Sequence, residues 1–390
     1  MFDTCTVVQY FIGMDTRGKL QTLAEAAQFD LSCACGGPQK RTLGNDGLWI
    51  YPAALPDGQT MPVLKVLQSS GCERNCTYCA QRNGGKGPRI CFSPDDLARE
   101  FMKMVRARMV GGLFLSSAIM GSPIATMDRM LATVERVRFK HRFFGYVHLK
   151  IIPGAQEAQI IRAMEIANRV SVNLEAPNEE RLAAIAPGKS FHDQLKGTMR
   201  FIGDNLGREG LRCKSQTTQF VVGAAGEQDK ETISTLWESY EEANLARGYF
   251  SAFQPVTGTP LEGAAPVPAM REHRLYQVDF LFRKYEFEID DIIFDDEENL
   301  SLAEDPKMMW AGRHPEVFPM EVNDIERREL LRVPGLGPMS VDRILERRRI
   351  SRICELDVLK RITPRWRTAA PYLLFDGKRR DRHMAQLELF

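Results

Sequence analysis

Three cysteines stand close together in the stretch LQSSGCERNCTYCAQRNGG, residues 67–85. Cys72, Cys76 and Cys79 have the spacing C-x3-C-x2-C, whereas a closed structural metal site takes four protein ligands. Thiolates are soft ligands that select zinc or iron–sulfur clusters. On a four-iron cluster, three thiolates leave one iron without a protein ligand. That open position is where a substrate or cosubstrate can bind.

The alternative interpretation of these thiols is a zinc site that a distant residue such as Cys91 or His148 completes, although paired C-x2-C motifs are the usual zinc pattern. The chain has 390 residues and nine cysteines, and its N-terminus does not resemble a signal peptide. We therefore expect the reducing cytoplasm, where clustered thiols are more often metal ligands than disulfides. No apolar run is long enough to predict a membrane span.

From residue 61 onward, apolar strand-like runs alternate with amphipathic helical stretches, which indicates βα units and a parallel sheet. Six units are too few for the closed eight-unit barrel, so we predict a partial (βα)6 TIM-like barrel, with a flat doubly wound sheet as the alternative. The cysteines follow the first strand, at the edge where α/β folds bind ligands. The predicted strands are 61–70, 112–119, 144–152, 169–176, 215–223 and 249–256, and the predicted helices are 94–110, 124–138, 155–168, 191–205, 227–246 and 268–285.

The motif Cys72-Glu-Arg-Asn-Cys76-Thr-Tyr-Cys79, with aromatic Tyr78 before the third cysteine, resembles that of radical S-adenosylmethionine (radical SAM) enzymes. The resemblance implies a 4Fe-4S cluster whose open iron binds the amino and carboxylate groups of S-adenosylmethionine, with Tyr78 near the adenine. It implies that the reduced cluster cleaves this cosubstrate to methionine and a 5′-deoxyadenosyl radical, which abstracts hydrogen from a substrate. An electron donor such as flavodoxin or ferredoxin would supply the electron.

The same resemblance suggests further cosubstrate ligands at the ends of later strands. Ser116 and Ser117 stand where the superfamily usually has a glycine-rich turn that meets the methionine amino group. Asn173 and Glu175, two residues apart near the end of the fourth strand, point as alternate side chains into the barrel. Gln254 lies in the segment FQPVTGTPLEG, residues 253–263, which resembles the sixth-strand segment of the superfamily, and it points inward or toward the substrate.

Two interpretations of Glu175 stay open. Its carboxylate holds a ribose hydroxyl, or it pairs with a buried Lys150 or Arg212. The segment VVGAAGEQ, residues 221–228, resembles the fifth-strand segment that lines the adenine in the superfamily.

The C-terminal stretch RRELLRVPGLGPMSVDRILERRR, residues 327–349, predicts a helix, a tight turn with two glycines and a second helix with proline at its first position. A helix N-terminus of this kind is a ready anion site. The pattern resembles a helix-hairpin-helix, which implies contacts to a DNA backbone without reading of bases. The alternative is a small all-α domain for protein contacts. The DNA-binding candidates are Pro334, Gly335, Leu336, Gly337, Arg343 and Arg347.

Charge is unevenly distributed, although the net charge is only +1. Residues 325–384 contain 16 Lys and Arg against 8 Asp and Glu, and the rest of the chain contains 36 against 43. This asymmetry suggests that the C-terminal segment binds a polyanion. The last residues, QLELF, resemble the short peptide by which bacterial replication and repair proteins dock on the DNA sliding clamp, in which apolar anchors fill a groove. Its predicted contact residues are Gln386, Leu387, Leu389 and Phe390.

Over most of its length the chain resembles the family of DNA modification or repair radical SAM proteins, in segments such as REHRLYQVDFLFRKY and LLRVPGLGPMS. The leading hypothesis is therefore a nucleoid-associated cytoplasmic enzyme that acts on a nucleotide in DNA. The alternatives are an RNA-modifying radical SAM enzyme and a non-enzymatic iron–sulfur protein that binds DNA. The predicted organisation is an N-terminal extension (1–60), the barrel (61–300), a linker (301–325), the helix-hairpin-helix domain (326–377) and a basic tail (378–390).

Overall fold

A computed structural model of the chain describes residues 15–27, 42–43, 49–54 and 60–380. The chain divides into two compact units, with the boundary between Glu272 and His273. Among the described residues, no helix has the length and apolar character needed to cross a membrane. Each unit is described by itself below.

The first unit is built on one eight-stranded sheet whose strands are neighbours in chain order. The first three strands pair antiparallel, and the third to eighth pair parallel. A doubly wound sheet would reverse its strand order, and this sheet does not. The predicted partial (βα)6 barrel is therefore confirmed. The strands are β1 (Thr42–Leu43), β2 (Trp49–Ala54), β3 (Thr60–Leu67), β4 (Gly112–Ser116), β5 (Tyr146–Lys150), β6 (Arg169–Ser171), β7 (Ser215–Val222) and β8 (Leu245–Ala252).

The helices of this unit begin at clear start signals in the sequence. Ser93 and Ser122 accept backbone N–H groups at two N-termini, and proline follows each of them. A helix that the sequence pattern did not predict, α5 (Glu179–Ile185), lies between β6 and a π-helical stretch at 191–196. The helices are α1 (Thr16–Ala26), α2 (Pro94–Arg106), α3 (Pro123–Glu135), α4 (Glu157–Ile166), α5 (Glu179–Ile185), α6 (Gly197–Asn205), α7 (Asp229–Ala243) and α8 (Ala269–Tyr285), which spans the unit boundary.

Alternation along the strands separates an apolar face from a polar one. Leu64, Val66 and Leu115 are fully buried on one face, as expected for strands covered by helices. Their neighbours on the other face include Lys65 and Ser116, which are also buried. The face opposite the helices therefore carries the polar residues, and polar side chains at its carboxyl edge are available to bind a ligand.

The second unit is helical and has its own core, which includes Leu330, Val341, Ile344 and Phe375. A short parallel pair joins β9 (Met320–Glu321) to β10 (Leu373–Leu374). Helix α9 (Pro306–Arg313) lies inside segment 301–325, which the sequence analysis expected to be a linker. The domain boundaries expected from the sequence stay predictions. The remaining helices are α9 (Pro306–Arg313), α10 (Arg327–Arg332), α11 (Pro338–Ile350), α12 (Leu356–Ile362) and α13 (Trp366–Ala369).

Candidate cluster and cosubstrate site

The loop that carries the three cysteines follows β3 and is held on two sides. Toward β4, the Glu73 N–H donates to the Ile119 carbonyl at 2.9 Å. Toward α5, the Thr77 N–H donates to the carbonyl of Ile185 at 2.8 Å, and the Arg74 guanidinium donates to that of Gly188 at 3.0 Å. The loop therefore has a fixed path between the segment after β4 and the segment after β6.

Gly188 allows the second of these attachments. Its φ is +88°, a conformation that a side chain would strain. A Cβ atom at this position would also lie 3.2 Å from the Arg74 Nη1 atom. The turn after α5 can therefore approach the cysteine loop closely only because glycine occupies this position.

The thiols differ in burial: Cys76 is buried, and Cys72 and Cys79 are half-buried. The Arg74 N–H donates to the Cys72 sulfur at 3.4 Å. A four-iron cluster takes each thiolate at a different iron, so its ligands need not converge on one point. The donor set and the backbone donor to sulfur therefore fit the 4Fe-4S cluster that the motif implies.

The zinc alternative has no support in the described part of the chain, where no three His, Cys, Asp or Glu side chains are arranged to hold one metal ion. The ring of His148 stacks on Phe114 with centroids 4.0 Å apart. Cys91 forms a β-bridge with Ser69.

Burial raises the pKa of the Cys76 thiol, and it raises the pKa of Cys79 to about 12. In the metal-free protein these two groups therefore hold their protons at neutral pH. Metal binding deprotonates cysteine, so loading of a cluster here must release protons.

Glu175 lies beside this loop and is almost fully buried. Its φ is +65°, and it is held in this unusual conformation by backbone hydrogen bonds to Gln219 (2.9 Å) and Val221 (2.8 Å). Strained non-glycine residues of this kind concentrate at functional sites. The carboxylate accepts a hydrogen bond from the Tyr78 hydroxyl, whose pKa is raised well above its usual value by burial and by the charge of Glu175.

Lys189 is a member of the site that sequence reasoning missed. Its Nζ atom lies 3.1 Å from Glu175 Oε1, and the two side chains are 9% and 7% exposed. Burial alone lowers the pKa of Lys189, but the charge of Glu175 and its hydrogen bond with Lys189 outweigh burial and raise that pKa. Glu175 thus has a partner other than the Lys150 and Arg212 considered from the sequence. A lysine after a Pro-Gly turn carries no pattern that would have identified it.

The other cosubstrate candidates occupy different environments. Ser116 and Asn173 are buried, and Ser117 is half-buried with its hydroxyl donating to the Ala118 carbonyl at 2.7 Å. Gln254 is exposed, and its amide donates to the Val267 carbonyl at 3.1 Å. In segment 221–228 the buried Glu227 carboxylate accepts backbone N–H groups of its own loop, and burial raises its pKa. Their roles toward a cosubstrate stay predictions.

In the second unit, residues 333–337 form a tight turn between α10 and α11. Gly335 has a φ of +81°, and a Cβ there would lie 2.8 Å from the Arg365 carbonyl oxygen. Gly337 is the N-cap of α11 and offers no side chain to cap it. The Lys307 ammonium, buried behind the turn, donates to the Leu336 carbonyl at 2.6 Å.

The hydrogen bond from Lys307 thus stabilises the backbone of the turn. Pro334 and Leu336 are buried, and Arg343 is exposed and Arg347 half-buried on α11. Arg348, by contrast, donates to the Ile325 carbonyl at 2.6 Å and ties α11 to its own unit. The predicted clamp-binding residues, 386–390, lie outside the described residues.

Comparison with known proteins identifies a match for the part of the chain that carries the cysteine loop. Residues 66–236 match the family model of the radical SAM superfamily. A threonylcarbamoyladenosine tRNA methylthiotransferase of Thermotoga maritima is 24% identical over 229 residues, which are 55% of this chain and 49% of that protein. A tRNA-2-methylthio-N(6)-dimethylallyladenosine synthase of Aquifex aeolicus is 23% identical over 278 residues, 65% of this chain and 59% of that protein.

The chain thus spans about half to three fifths of the length of these curated relatives. Among solved structures, methylornithine synthase is similar, with a TM-score of 0.46 and 17% identity over 57% of this chain and 61% of that chain.

Proposed function

Because residues 66–236 match the family model of the radical SAM superfamily, whose members use a 4Fe-4S cluster and S-adenosylmethionine, we propose that this chain is a radical enzyme acting on nucleic acid. The cluster and the cosubstrate supply the 5′-deoxyadenosyl radical. The observation that supports the proposal most strongly is the cysteine loop, anchored between two βα units beside the buried Glu175 carboxylate. The superfamily match also argues against the non-enzymatic alternative.

In this proposal the residues of the chain hold and orient the two cofactors. Cys72, Cys76 and Cys79 bind three irons of the cluster. Tyr78 and Lys189 fix the Glu175 carboxylate at the edge of the sheet, where an oxygen of that carboxylate can accept a hydrogen bond from a ribose hydroxyl. A carboxylate already ordered before the ligand arrives loses less conformational entropy on binding.

DNA is the first candidate substrate. The turn at 333–337 precedes α11, whose N-cap Gly337 leaves backbone N–H groups at a helix N-terminus, and the exposed Arg343 lies on the same helix. Such groups bind phosphate without reading sequence. The proposal includes extrusion of the target nucleotide from the duplex so that it reaches the radical, at a cost of a few kcal/mol.

RNA is the second candidate, and the comparisons favour it. The two curated relatives are named for the modification of tRNA, and they align with 55% and 65% of this chain. RNA duplexes differ from DNA in groove shape and in their 2′-hydroxyl groups, so a protein can distinguish the two polymers.

The experiment is incubation of reconstituted, reduced protein with S-adenosylmethionine and either DNA or tRNA, followed by mass analysis of the nucleosides. An altered deoxynucleoside supports the DNA proposal, and an altered ribonucleoside supports the RNA proposal. Competition between duplex DNA and tRNA for binding to the protein gives an independent comparison. If neither polymer binds, the nucleic-acid proposal is wrong.

The partners predicted from the sequence are part of the same proposal. An electron donor such as flavodoxin or ferredoxin reduces the cluster, and residues 386–390 dock on the DNA sliding clamp in association with the nucleoid. Deletion of 386–390 should abolish clamp binding, and retained binding would remove that partner.

A further inference from the structure

Lys189 is a buried cation at the proposed cluster site, where it pairs with Glu175. It follows α5 in the turn that the cysteine loop contacts through the Ile185 and Gly188 carbonyls. Gly188 is the residue directly before Lys189, so the hydrogen bond from Arg74 fixes the backbone from which the lysine side chain extends. The position of the ammonium group is therefore tied to the position of the cysteines.

We propose that Lys189 is a positioning residue that holds Glu175 and, through its positive charge beside Cys76 and Cys79, raises the reduction potential of the cluster. This inference rests on the proposed function, because it requires the cluster to be present. Reduction adds an electron to the cluster, so a nearby positive charge stabilises the reduced state. Charge and hydrogen bonding around a cluster are recognised determinants of its potential.

Burial strengthens the effect of the Lys189 charge on the reduction potential of the cluster. The Lys189 side chain is 9% exposed, so water screens its field weakly, and Coulomb interactions strengthen as the local dielectric constant falls. The turn that carries Lys189 is hydrogen-bonded to Arg74 and Thr77, which flank Cys76 in the cysteine loop, so the Lys189 charge lies close to the proposed cluster. Arg74 is a second cation in the cysteine loop, but its guanidinium donates a hydrogen bond to the Gly188 carbonyl.

Glu175 has the opposite effect, because its negative charge partly cancels that of Lys189. Removal of the lysine leaves a buried carboxylate beside the cluster and opposes reduction, whereas removal of the carboxylate charge leaves the lysine uncompensated and favours it. The inference therefore predicts shifts of opposite sign for the two partners of one ion pair. A purely structural role for the pair would not produce this reversal.

The test is a redox titration of the reconstituted protein without S-adenosylmethionine, followed by electron paramagnetic resonance of the reduced cluster. At a fixed potential, Lys189→Met should lower the ratio of reduced to oxidised cluster about tenfold, which corresponds to about 59 mV for one electron. Lys189→Arg, which keeps the charge, should stay within about twofold of the wild type. Glu175→Gln should raise the ratio.

Lys196→Met is the matched control, since Lys196 is also buried but pairs with Glu238 on α7 at 2.7 Å. It should leave the ratio unchanged. An unshifted ratio in Lys189→Met at full iron content would overturn the inference. If Lys189→Met does not load iron, the Glu175→Gln variant alone tests the inference. A ratio of reduced to oxidised cluster that fails to rise in Glu175→Gln then contradicts the inference. Cleavage of S-adenosylmethionine is assayed separately, so a protein that cleaves it with an unmoved potential refutes only the role of Lys189.

Discussion

Lys189 Nζ lies 3.1 Å from Glu175 Oε1, with both side chains more than nine-tenths buried. This ion pair joins the segment after β6 to the turn after α5, and the same turn holds the cysteine loop through its backbone carbonyls. The buried pair and the three thiols therefore form one connected site at the carboxyl edge of the sheet.

Breaking this ion pair should be expensive, because one buried charge loses its partner. We expect Lys189→Met to lower the free energy of unfolding by about 3–5 kcal/mol. The double variant Lys189→Met with Glu175→Leu should recover most of that loss, since an apolar pair replaces the ionic one. Urea denaturation of the four members of the cycle measures the coupling, and additive effects would contradict a direct interaction.

The cluster should depend on the loop cysteines and not on buried thiols in general. Cys76→Ala should load little iron and sulfide, because one of the three proposed ligands is missing, and should still bind nucleic acid. Cys213→Ala is the control, since Cys213 is equally buried but lies outside the loop. Iron analysis and visible absorption after reconstitution measure the difference. Normal loading of the Cys76 variant would show that the ligand set is different.

The second unit, through the turn at 333–337 and helix α11, should contribute a salt-dependent part of nucleic-acid affinity. Each phosphate contact that is lost should reduce the slope of log affinity against log salt by about 1. We therefore expect the double variant Arg343→Ala with Arg347→Ala to reduce this slope by about 2, as measured by fluorescence anisotropy from 50 to 200 mM salt. Arg200→Ala removes an exposed arginine of the barrel unit, paired with Glu242, and should leave the slope unchanged. Equal slopes for the hairpin variant and the wild type would exclude these contacts.

Lys307 should make the free energy of unfolding rise with pH above pH 7. Burial lowers its pKa to about 7 in the folded protein, whereas an unfolded lysine titrates near 10.4. Between these values the unfolded state binds more protons, so the free energy of unfolding rises with pH, by about 2 kcal/mol from pH 7 to pH 9. Below pH 7 both states are protonated and this contribution is constant.

The Lys307→Met variant should lose this rise, and the exposed Lys360→Met should keep it. Thermal unfolding of the two variants and the wild type between pH 6 and pH 9.5 gives the comparison. A parallel pH dependence for Lys307→Met and the wild type would show that Lys307 titrates normally.

The sequence predicted most of the barrel because each βα unit carries its own local pattern. Apolar runs followed by amphipathic stretches located β3, β4 and their helices, and the cysteine spacing located the loop. Strand β6 was predicted as 169–176 and has only three residues in the structure, and the seven-residue helix α5 is too short to give a reliable helical period. The antiparallel hairpin of β1 and β2 depends on pairing with β3, which no local pattern encodes.

Only those site residues that lie close together in the sequence could be predicted. Cys72, Tyr78 and Cys79 belong to one motif, whereas Lys189 is 110 residues beyond Cys79 and reaches the site through the turn at Gly188. The partner of Glu175 depended on which lysine the fold brings nearby, and that is set by tertiary packing. Charge patterning indicated a polyanion, but it could not distinguish DNA from RNA.

The proposed function requires that a cluster held by Cys72, Cys76 and Cys79 supplies the cleavage of S-adenosylmethionine. The direct measurement is the amount of 5′-deoxyadenosine formed when reconstituted, reduced protein is incubated with S-adenosylmethionine. The account predicts 5′-deoxyadenosine from the wild type and none from Cys76→Ala. An intact, reduced cluster that binds S-adenosylmethionine and yields no 5′-deoxyadenosine would contradict it.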